Sequence, residues 1–118
     1  MYVDGFVLPI PKDKVKAYKK MATVAAKVWK DHGALQYAEC QADDLKVDEK
    51  WSLPFPKLVK PKPNEVIFFS FIVYKNKAHR NAVNKKVMAD PRLKCDPKDM
   101  PFDCRKMAYG GFKALVSA

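Results

Sequence analysis

The sequence predicts an α+β fold whose strands and helices follow the order βαββαβ. Apart from Ser70, residues 66–74 are apolar at odd and even positions alike, which is typical of a strand in the middle of a sheet. Residues 13–32 and 76–89 place apolar side chains at helical spacing. This order is that of the ferredoxin-like unit, a four-stranded antiparallel sheet with both helices on one face. We expect a single domain over residues 1–118.

The first half of the chain contains two strands, the longer helix and a loop. Residues 2–10 form the first strand, which two prolines end. The helix over 13–32 follows, and Gly33 is suited to close it because glycine adopts the left-handed conformation of a helix end. Residues 34–41 predict the second strand. Residues 45–64 contain four prolines and predict a long loop.

The second half begins with the strand over 66–74. Asn76 is a suitable N-cap for the helix that runs to residue 89, and an Asp-Pro pair ends that helix. Residues 91–105 are polar and predict an irregular connection. The last strand covers 106–116 and is expected to bend at its two adjacent glycines.

Composition and charge limit the classes of partner. The net charge is +10, but only three of the 23 basic residues are arginines and the lysines are dispersed, which indicates a solvated surface without specific nucleic-acid binding. The apolar runs are too short to cross a membrane, and the N-terminal residues lack the pattern of a signal peptide. The three cysteines show no metal-binding spacing. We therefore expect a cytoplasmic protein with unpaired thiols, no metal and no cofactor.

The predicted sheet has a second apolar face that the two helices leave uncovered. Positions 66, 68, 72 and 74 line one side of the strand over 66–74 and positions 67, 69, 71 and 73 line the other, so the bare face is apolar whichever side the helices cover, and a soluble monomer rarely exposes such a patch. Packing two sheets face to face covers both patches at once. The sequence therefore predicts a homodimer with a barrel-like interior.

Six short stretches form a distinctive set in their order and spacing. They are Tyr2-Val3-Asp4-Gly5-Phe6, Gly33-Ala34-Leu35 leading to Glu39-Cys40, Phe55-Pro56 before Val59-Lys60, Met88-Ala89-Asp90-Pro91-Arg92, Met100-Pro101-Phe102-Asp103, and Met107-x-Tyr109-Gly110-Gly111-Phe112. Over nearly the whole chain they resemble the YbaA-like family of uncharacterised bacterial proteins. The resemblance implies a dimeric α+β barrel and brings no known activity. The wider barrel superfamily includes cofactor-independent oxygenases, haem-degrading enzymes and small-molecule binders, an analogy at the level of fold.

Asp4 is the predicted catalytic residue. The small side chains at positions 3, 5 and 7 fit beneath the helices, so we expect Asp4 on the open side of the sheet with Tyr2 and Phe6. A carboxylate enclosed there is a candidate general base, and the alternative is a structural hydrogen bond or ion pair. Ser70 and Tyr109 are expected to add polar contacts to a ligand pocket near Asp4.

Three classes of function remain open. The first is a homodimeric protein that binds a small apolar or aromatic molecule in the barrel interior or against the 45–64 loop, where Trp51 is the expected contact. The second is a cofactor-independent enzyme, of oxygenase or isomerase type, that acts on a small aromatic or quinone-like substrate through Asp4. The third is an RNA-binding module, because RNA-recognition domains share the βαββαβ order, although their third-strand motif is absent from 66–74.

Overall fold

Four strands form one antiparallel sheet in the computed structural model, which describes all residues from 1 to 118. They are β1 (Tyr2–Pro11), β2 (Gln36–Gln41), β3 (Glu65–Tyr74) and β4 (Ala108–Lys113). Their order across the sheet is β2-β3-β1-β4, so the two long strands are central and the two short ones form the edges. The predicted α+β fold with βαββαβ order is confirmed.

The pairing register decides which side chains share a face. β1 and β3 pair along their whole length, from Tyr2 opposite Tyr74 to Pro11 opposite Glu65. β4 pairs with β1, and β2 pairs with β3, both antiparallel. Directly paired residues point to the same side of a sheet. One face therefore carries the even residues of β1 and β3 together with the odd residues of β2 and β4.

Helices α1 (Val15–Asp31) and α3 (Lys77–Met88) both cover this face. The Asn76 side chain accepts a hydrogen bond of 2.8 Å from the His79 amide and so caps α3, as its position in the sequence predicts. Gly33, which follows α1, has a φ of 111°, a conformation that favours glycine.

Two clusters of buried side chains hold the helices on the sheet. One joins α1 and α3 to the end of the sheet near Tyr2, and the other joins α1 to the end near Leu8. Their members are Tyr2, Val28, Ala34, Ile72, Tyr74, Val83 and Val87 in the first, and Leu8, Ile10, Tyr18, Ala22 and Phe68 in the second.

Asp4 lies on the face opposite to the predicted one. It is 1% exposed beneath α3, on the same face as Leu8 and the other even residues of β1. The prediction placed the small odd residues of β1 beneath the helices. Instead, the ring of Phe112 lies over Gly5 and Gly110 on the uncovered face, 3.6 Å from the position that a Cβ would take at either glycine. The small residues of β1 therefore accommodate an aromatic ring from β4.

The uncovered face, which we call the open face, carries mostly apolar side chains. Phe69 is 45% exposed and Phe112 is 64% exposed. At one end the face is covered, because Pro9 and Ile67 are buried and the short helix α2 (Phe55–Val59) contacts β1. The prediction of a loop over 45–64 is thus wrong for five residues.

The connection between α3 and β4 contains three short 3₁₀ turns, at Pro91–Leu93, Pro97–Asp99 and Cys104–Lys106. In each turn the preceding aspartate accepts a hydrogen bond from the amide two residues later. β4 is shorter than predicted at both ends, because the last of these turns includes residue 106 and the strand ends at Lys113 instead of residue 116.

Substitution of Gly111 tests how β1 packs against β4. A methyl group at this position would overlap the Tyr2 hydroxyl, which Arg80 holds through a 2.9 Å hydrogen bond. We expect Gly111→Ala to lower the free energy of unfolding by roughly 1–3 kcal/mol, the usual effect of overpacking, as measured by urea denaturation. Gly110→Ala is the matched control, because its Cβ meets Phe112 at an ordinary 3.6 Å. Equal stability of the two variants would contradict a fixed position of Tyr2.

Candidate functional site

A cavity of about 640 Å³ lies on the helix-covered side of the sheet. Its floor is the middle of the sheet, one wall is α1, and the segment from Met88 to Met107 closes the remaining side. The cavity is a cleft open to solvent, because its lining includes exposed residues such as Val24 and Met88. A space of this size is in the range of small-molecule sites and is the strongest candidate for a functional site.

Most of the cavity wall is apolar. The sheet contributes Phe6, Leu8 and Ile72. Three small residues of α1 leave the space above the sheet unfilled, namely Ala17, Ala22 and Ala25. Larger side chains complete the wall at Met21, Trp29, Leu93, Met100 and Phe102. The lining is therefore suited to an apolar body.

The polar part of the lining is a carboxylate held by three hydroxyl groups. Tyr18 of α1 donates to Glu39 Oε2 at 2.6 Å, and Tyr37 of β2 donates to Glu39 Oε1 at 2.8 Å. Ser70 of β3 also donates to Glu39 Oε2. One acceptor thus joins a helix and two neighbouring strands. We call these four residues the Glu39 cluster.

The hydroxyl groups of the Glu39 cluster remain protonated donors. Burial raises the pKa of Tyr18, and its hydrogen bond to Glu39 raises it further. Burial, and then the charge of Glu39, likewise raise the pKa of Tyr37. Both tyrosines therefore stay neutral in the ordinary pH range and direct their protons to the carboxylate.

An ion-pair network lies at the mouth of the cavity. Arg92 binds Asp90 through its Nε and Nη2, at 3.0 and 2.7 Å, and Asp31 through its Nη1 at 2.8 Å. His32 contacts the same Asp90 carboxylate at 2.8 Å. The hydrogen bonds from Arg92, followed by the one from His32, lower the pKa of Asp90. The network fastens the end of α1 to the segment that closes the cavity.

A second polar cluster surrounds Asp4 next to the cavity. The Arg80 Nη1 is 3.8 Å from Asp4 Oδ1 and donates to the Tyr109 hydroxyl at 3.1 Å, while Nη2 donates to the Tyr2 hydroxyl at 2.9 Å. The guanidinium also lies over the Tyr2 ring, 5.0 Å from its centroid. Asp4 Oδ1 and Arg80 Nε are buried without a hydrogen-bond partner.

Trp29 forms the boundary between the cavity and the Asp4 cluster. Its ring lines the cavity, and its Nε1 donates towards the Tyr74 hydroxyl at 3.1 Å and Asn84 Oδ1 at 3.2 Å. Burial, and then the charge of Asp4, raise the pKa of Tyr74. The cavity and the polar cluster around Asp4 are therefore adjacent but separate. Asp4 does not line the cavity.

The residues predicted as a site fall into three places. Phe6 and Ser70 line the cavity. Asp4, Tyr2 and Tyr109 form the second cluster around Arg80, and Phe6 links the two places because its ring stacks on Tyr109 with centroids 4.8 Å apart. Trp51 is 84% exposed and belongs to neither place. The catalytic role of Asp4 stays a prediction. The structure adds that Arg80 lies beside the Asp4 carboxylate.

The sequence reasoning missed Glu39, its two tyrosine partners and Arg80. A weak signal was present, because Tyr37 and Glu39 share one parity of the second strand and Tyr18 lies on the apolar face of the first helix. Their meeting could not be predicted, since Tyr18 and Ser70 are 21 and 31 residues from Glu39.

Some other site types find no counterpart in the structure. No group of three or more His, Cys, Asp or Glu side chains is arranged to hold a metal ion, and the three cysteines are exposed and free. None of the helices combines the length and apolar character that crossing a bilayer requires.

Two solved structures of distant proteins resemble this fold. An uncharacterized NIPSNAP domain protein from Burkholderia xenovorans aligns over 100% of this chain and 98% of its own, with a TM-score of 0.62 and 18% identity. Protein Atu4242 from Agrobacterium tumefaciens aligns over 99% and 97%, with a TM-score of 0.54 and 16% identity. At such identities the likeness concerns the fold alone.

The sequence itself has closer relatives. The uncharacterized protein YbaA of Escherichia coli strain K12 is 45% identical over 115 residues, which cover 98% of this chain and 97% of that protein, and YbaA of Shigella flexneri gives the same values. The family model described as protein of unknown function, DUF1428, matches residues 1–104. The resemblance to YbaA-like proteins is thereby confirmed, and the chain belongs to the DUF1428 family.

Proposed function

We propose that this protein is a homodimeric binding protein for a small apolar or aromatic molecule, which occupies the cavity between α1 and the sheet. The observation that carries the proposal is the cavity of about 640 Å³ with apolar walls and one group of polar side chains, the Glu39 cluster. Apolar walls with a few placed polar groups are characteristic of small-molecule sites, where the polar groups orient the ligand.

The position of the cavity modifies the prediction of a pocket in the barrel interior. The interior of a dimeric barrel would be formed by the open face, whereas the cavity lies on the opposite side of the sheet, under α1. Phe6 and Ser70, which were proposed from the sequence as ligand contacts, both line this cavity. Each subunit of the proposed dimer then holds its own ligand.

The open face supports the dimer. Phe69 and Phe112 are 45% and 64% exposed there, whereas Pro9 and Ile67 at the other end of the face are buried. Trp51 and Leu53, in the segment before α2, are 84% and 65% exposed. A second copy that packs sheet against sheet about a two-fold axis would cover these apolar groups on both chains.

The proposed dimer predicts the mass of the protein in solution and predicts that one variant no longer dimerises. Light scattering should give about twice the chain mass of 13.5 kDa, and Phe69→Asp should shift the protein to monomer, because a charge would be buried between the sheets. Val24→Asp is the control, since Val24 on α1 is 43% exposed and Phe69 is 45% exposed. A monomeric wild type, or a dimeric Phe69→Asp variant, would contradict the proposal.

Filling the cavity should abolish ligand binding. Ala25 is 8% exposed and lines the cavity, so Ala25→Phe places a ring in the space that a ligand would occupy. We expect at least one of p-cresol, indole and 2-phenylethanol to raise the melting temperature of the wild type. That increase should disappear in Ala25→Phe and persist in Ala82→Phe, whose exposed site on α3 is the control.

Two outcomes of this experiment would exclude the cavity as the binding site. In the first, none of the three compounds stabilises the wild type. In the second, a compound stabilises Ala25→Phe as much as Ala82→Phe, which would place its site elsewhere on the protein.

A further inference from the structure

We infer that the ligand of the cavity is an organic ammonium ion, an amine with an apolar or aromatic body, whose charged nitrogen binds Glu39. The inference rests on the proposed function, because it concerns the same cavity. It adds the chemical class of the ligand and the residue that selects it.

Glu39 lacks the counter-ion that the comparable acidic residues have. Five Asp and Glu residues of the chain are buried or half-buried. Four of them lie beside a basic group, at 3.8, 3.7, 2.7 and 3.2 Å: Asp4 with Arg80, Glu65 with Lys106, Asp90 with Arg92, and Asp103 with Arg105. Glu39 is the fifth, and no Lys, Arg or His group pairs with it. A carboxylate shielded from water without an opposite charge favours the binding of a cation.

The hydrogen bonds of Glu39 leave one acceptor position free. An ionised carboxylate offers about four lone-pair positions, two on each oxygen. Tyr18 and Ser70 occupy those of Oε2, and Tyr37 occupies one of Oε1. The remaining position on Oε1 can accept an N–H from a ligand. The three hydroxyls fix the carboxylate in place, so the ligand need not order it on binding.

Aromatic rings continue from the carboxylate into the cavity. Tyr37 neighbours Trp29 with ring centroids 5.9 Å apart, and Tyr18 neighbours Phe102 at 5.6 Å. All four rings line the cavity. Their faces attract a cation, while their edges and the aliphatic side chains accept an apolar body. The lining thus matches both parts of an aralkylamine.

The basic residues at the cavity mouth do not replace the missing counter-ion. Arg92 is engaged with Asp90 and Asp31. Lys20 and Lys94 line the mouth but are exposed and form no ion pair with Glu39. Salt screens such exposed charges over about 10 Å at 0.1 M ionic strength, so we expect them to slow the entry of a cation at low salt without preventing its binding.

The test compares probes of one shape and different charge. 2-Phenylethylamine is protonated at pH 7, as an alkyl amine like that of lysine, 2-phenylethanol is its neutral counterpart and 3-phenylpropionate is an anion. Dissociation constants are measured by calorimetry for the wild type, for Glu39→Gln and for Glu49→Gln. Glu49 is an exposed acid outside the cavity and provides the matched control. Circular dichroism verifies the folding of each variant.

The wild type and Glu49→Gln should bind the amine at least about tenfold more tightly than the alcohol, because a charge-assisted hydrogen bond replaces a neutral one. Glu39→Gln should lose this preference while it still binds the alcohol. The inference is overturned if the wild type binds the alcohol or the acid as tightly as the amine, or if Glu39→Gln keeps the preference.

The experiment separates the inference from the proposed function. Binding of the alcohol without preference for the amine would leave the cavity as a binding site and reject only the ammonium. Absence of binding by all three probes would reject both. Should Glu39→Gln fail to fold, the ranking of the three probes on the wild type still tests the ammonium, and Glu39→Asp, which keeps the charge but withdraws the carboxylate from its hydroxyl partners, should weaken the preference for the amine if Glu39 is the residue that selects it.

Discussion

The two central strands carry apolar side chains on both faces, and the rest of the structure depends on how these faces are covered. β1 and β3 pair over their whole length, so most apolar residues of one strand lie opposite an apolar residue of the other, with Asp4 and Ser70 as polar exceptions on the helix-covered face. α1 and α3 cover one side of the sheet. On the other side, α2 reaches only the end near Pro9 and Ile67. The proposed second subunit would bury this open face, and removing its apolar side chains from water would stabilise the dimer.

The helices also leave part of their own side of the sheet uncovered. Polar contacts attach α1 to the sheet at two points. Tyr18 attaches α1 to Glu39, and Trp29 attaches it to Tyr74. These two residues are 11 positions apart in a helix, about 16 Å along its axis. Between them α1 presents Ala22 and Ala25, which are too small to fill the space above the sheet. The cavity is therefore a consequence of where α1 is anchored and of which residues lie between the anchors.

Much of the fold could be predicted, because it depends on local patterns. The spacing of apolar residues located both helices, and the two-faced stretch 66–74 located the central strand. The choice of face for Asp4 could not be predicted from the size of its neighbours, because Gly5 accommodates a ring from β4 instead of a helix. Arg80, which pairs with Asp4, is 76 positions along the chain.

The candidate site was predicted only in part, because many of its contacts join residues that are far apart in the sequence. Phe6 and Ser70, predicted as ligand contacts near Asp4, line the cavity because they lie on the central strands that form its floor, although the cavity lies on the other side of the sheet from the predicted pocket. Trp51 was selected as an aromatic residue in a proline-rich loop, yet its ring is exposed and is not part of the cavity lining. Glu39 accepts hydrogen bonds from residues on three separate elements. Which elements meet at one residue is decided by the tertiary structure and not by a local sequence pattern.

The methionines allow the central claim, that the cavity binds a small molecule, to be tested in one measurement. Four of the five methionines, Met21, Met88, Met100 and Met107, line the cavity, and Met1 does not. Methyl-labelled protein is titrated in turn with p-cresol, indole and 2-phenylethanol and followed by NMR, and at least one of the three should shift the methyl signals of those four and leave Met1 unchanged. Signals that all remain in place, or a shift confined to Met1, would contradict the account.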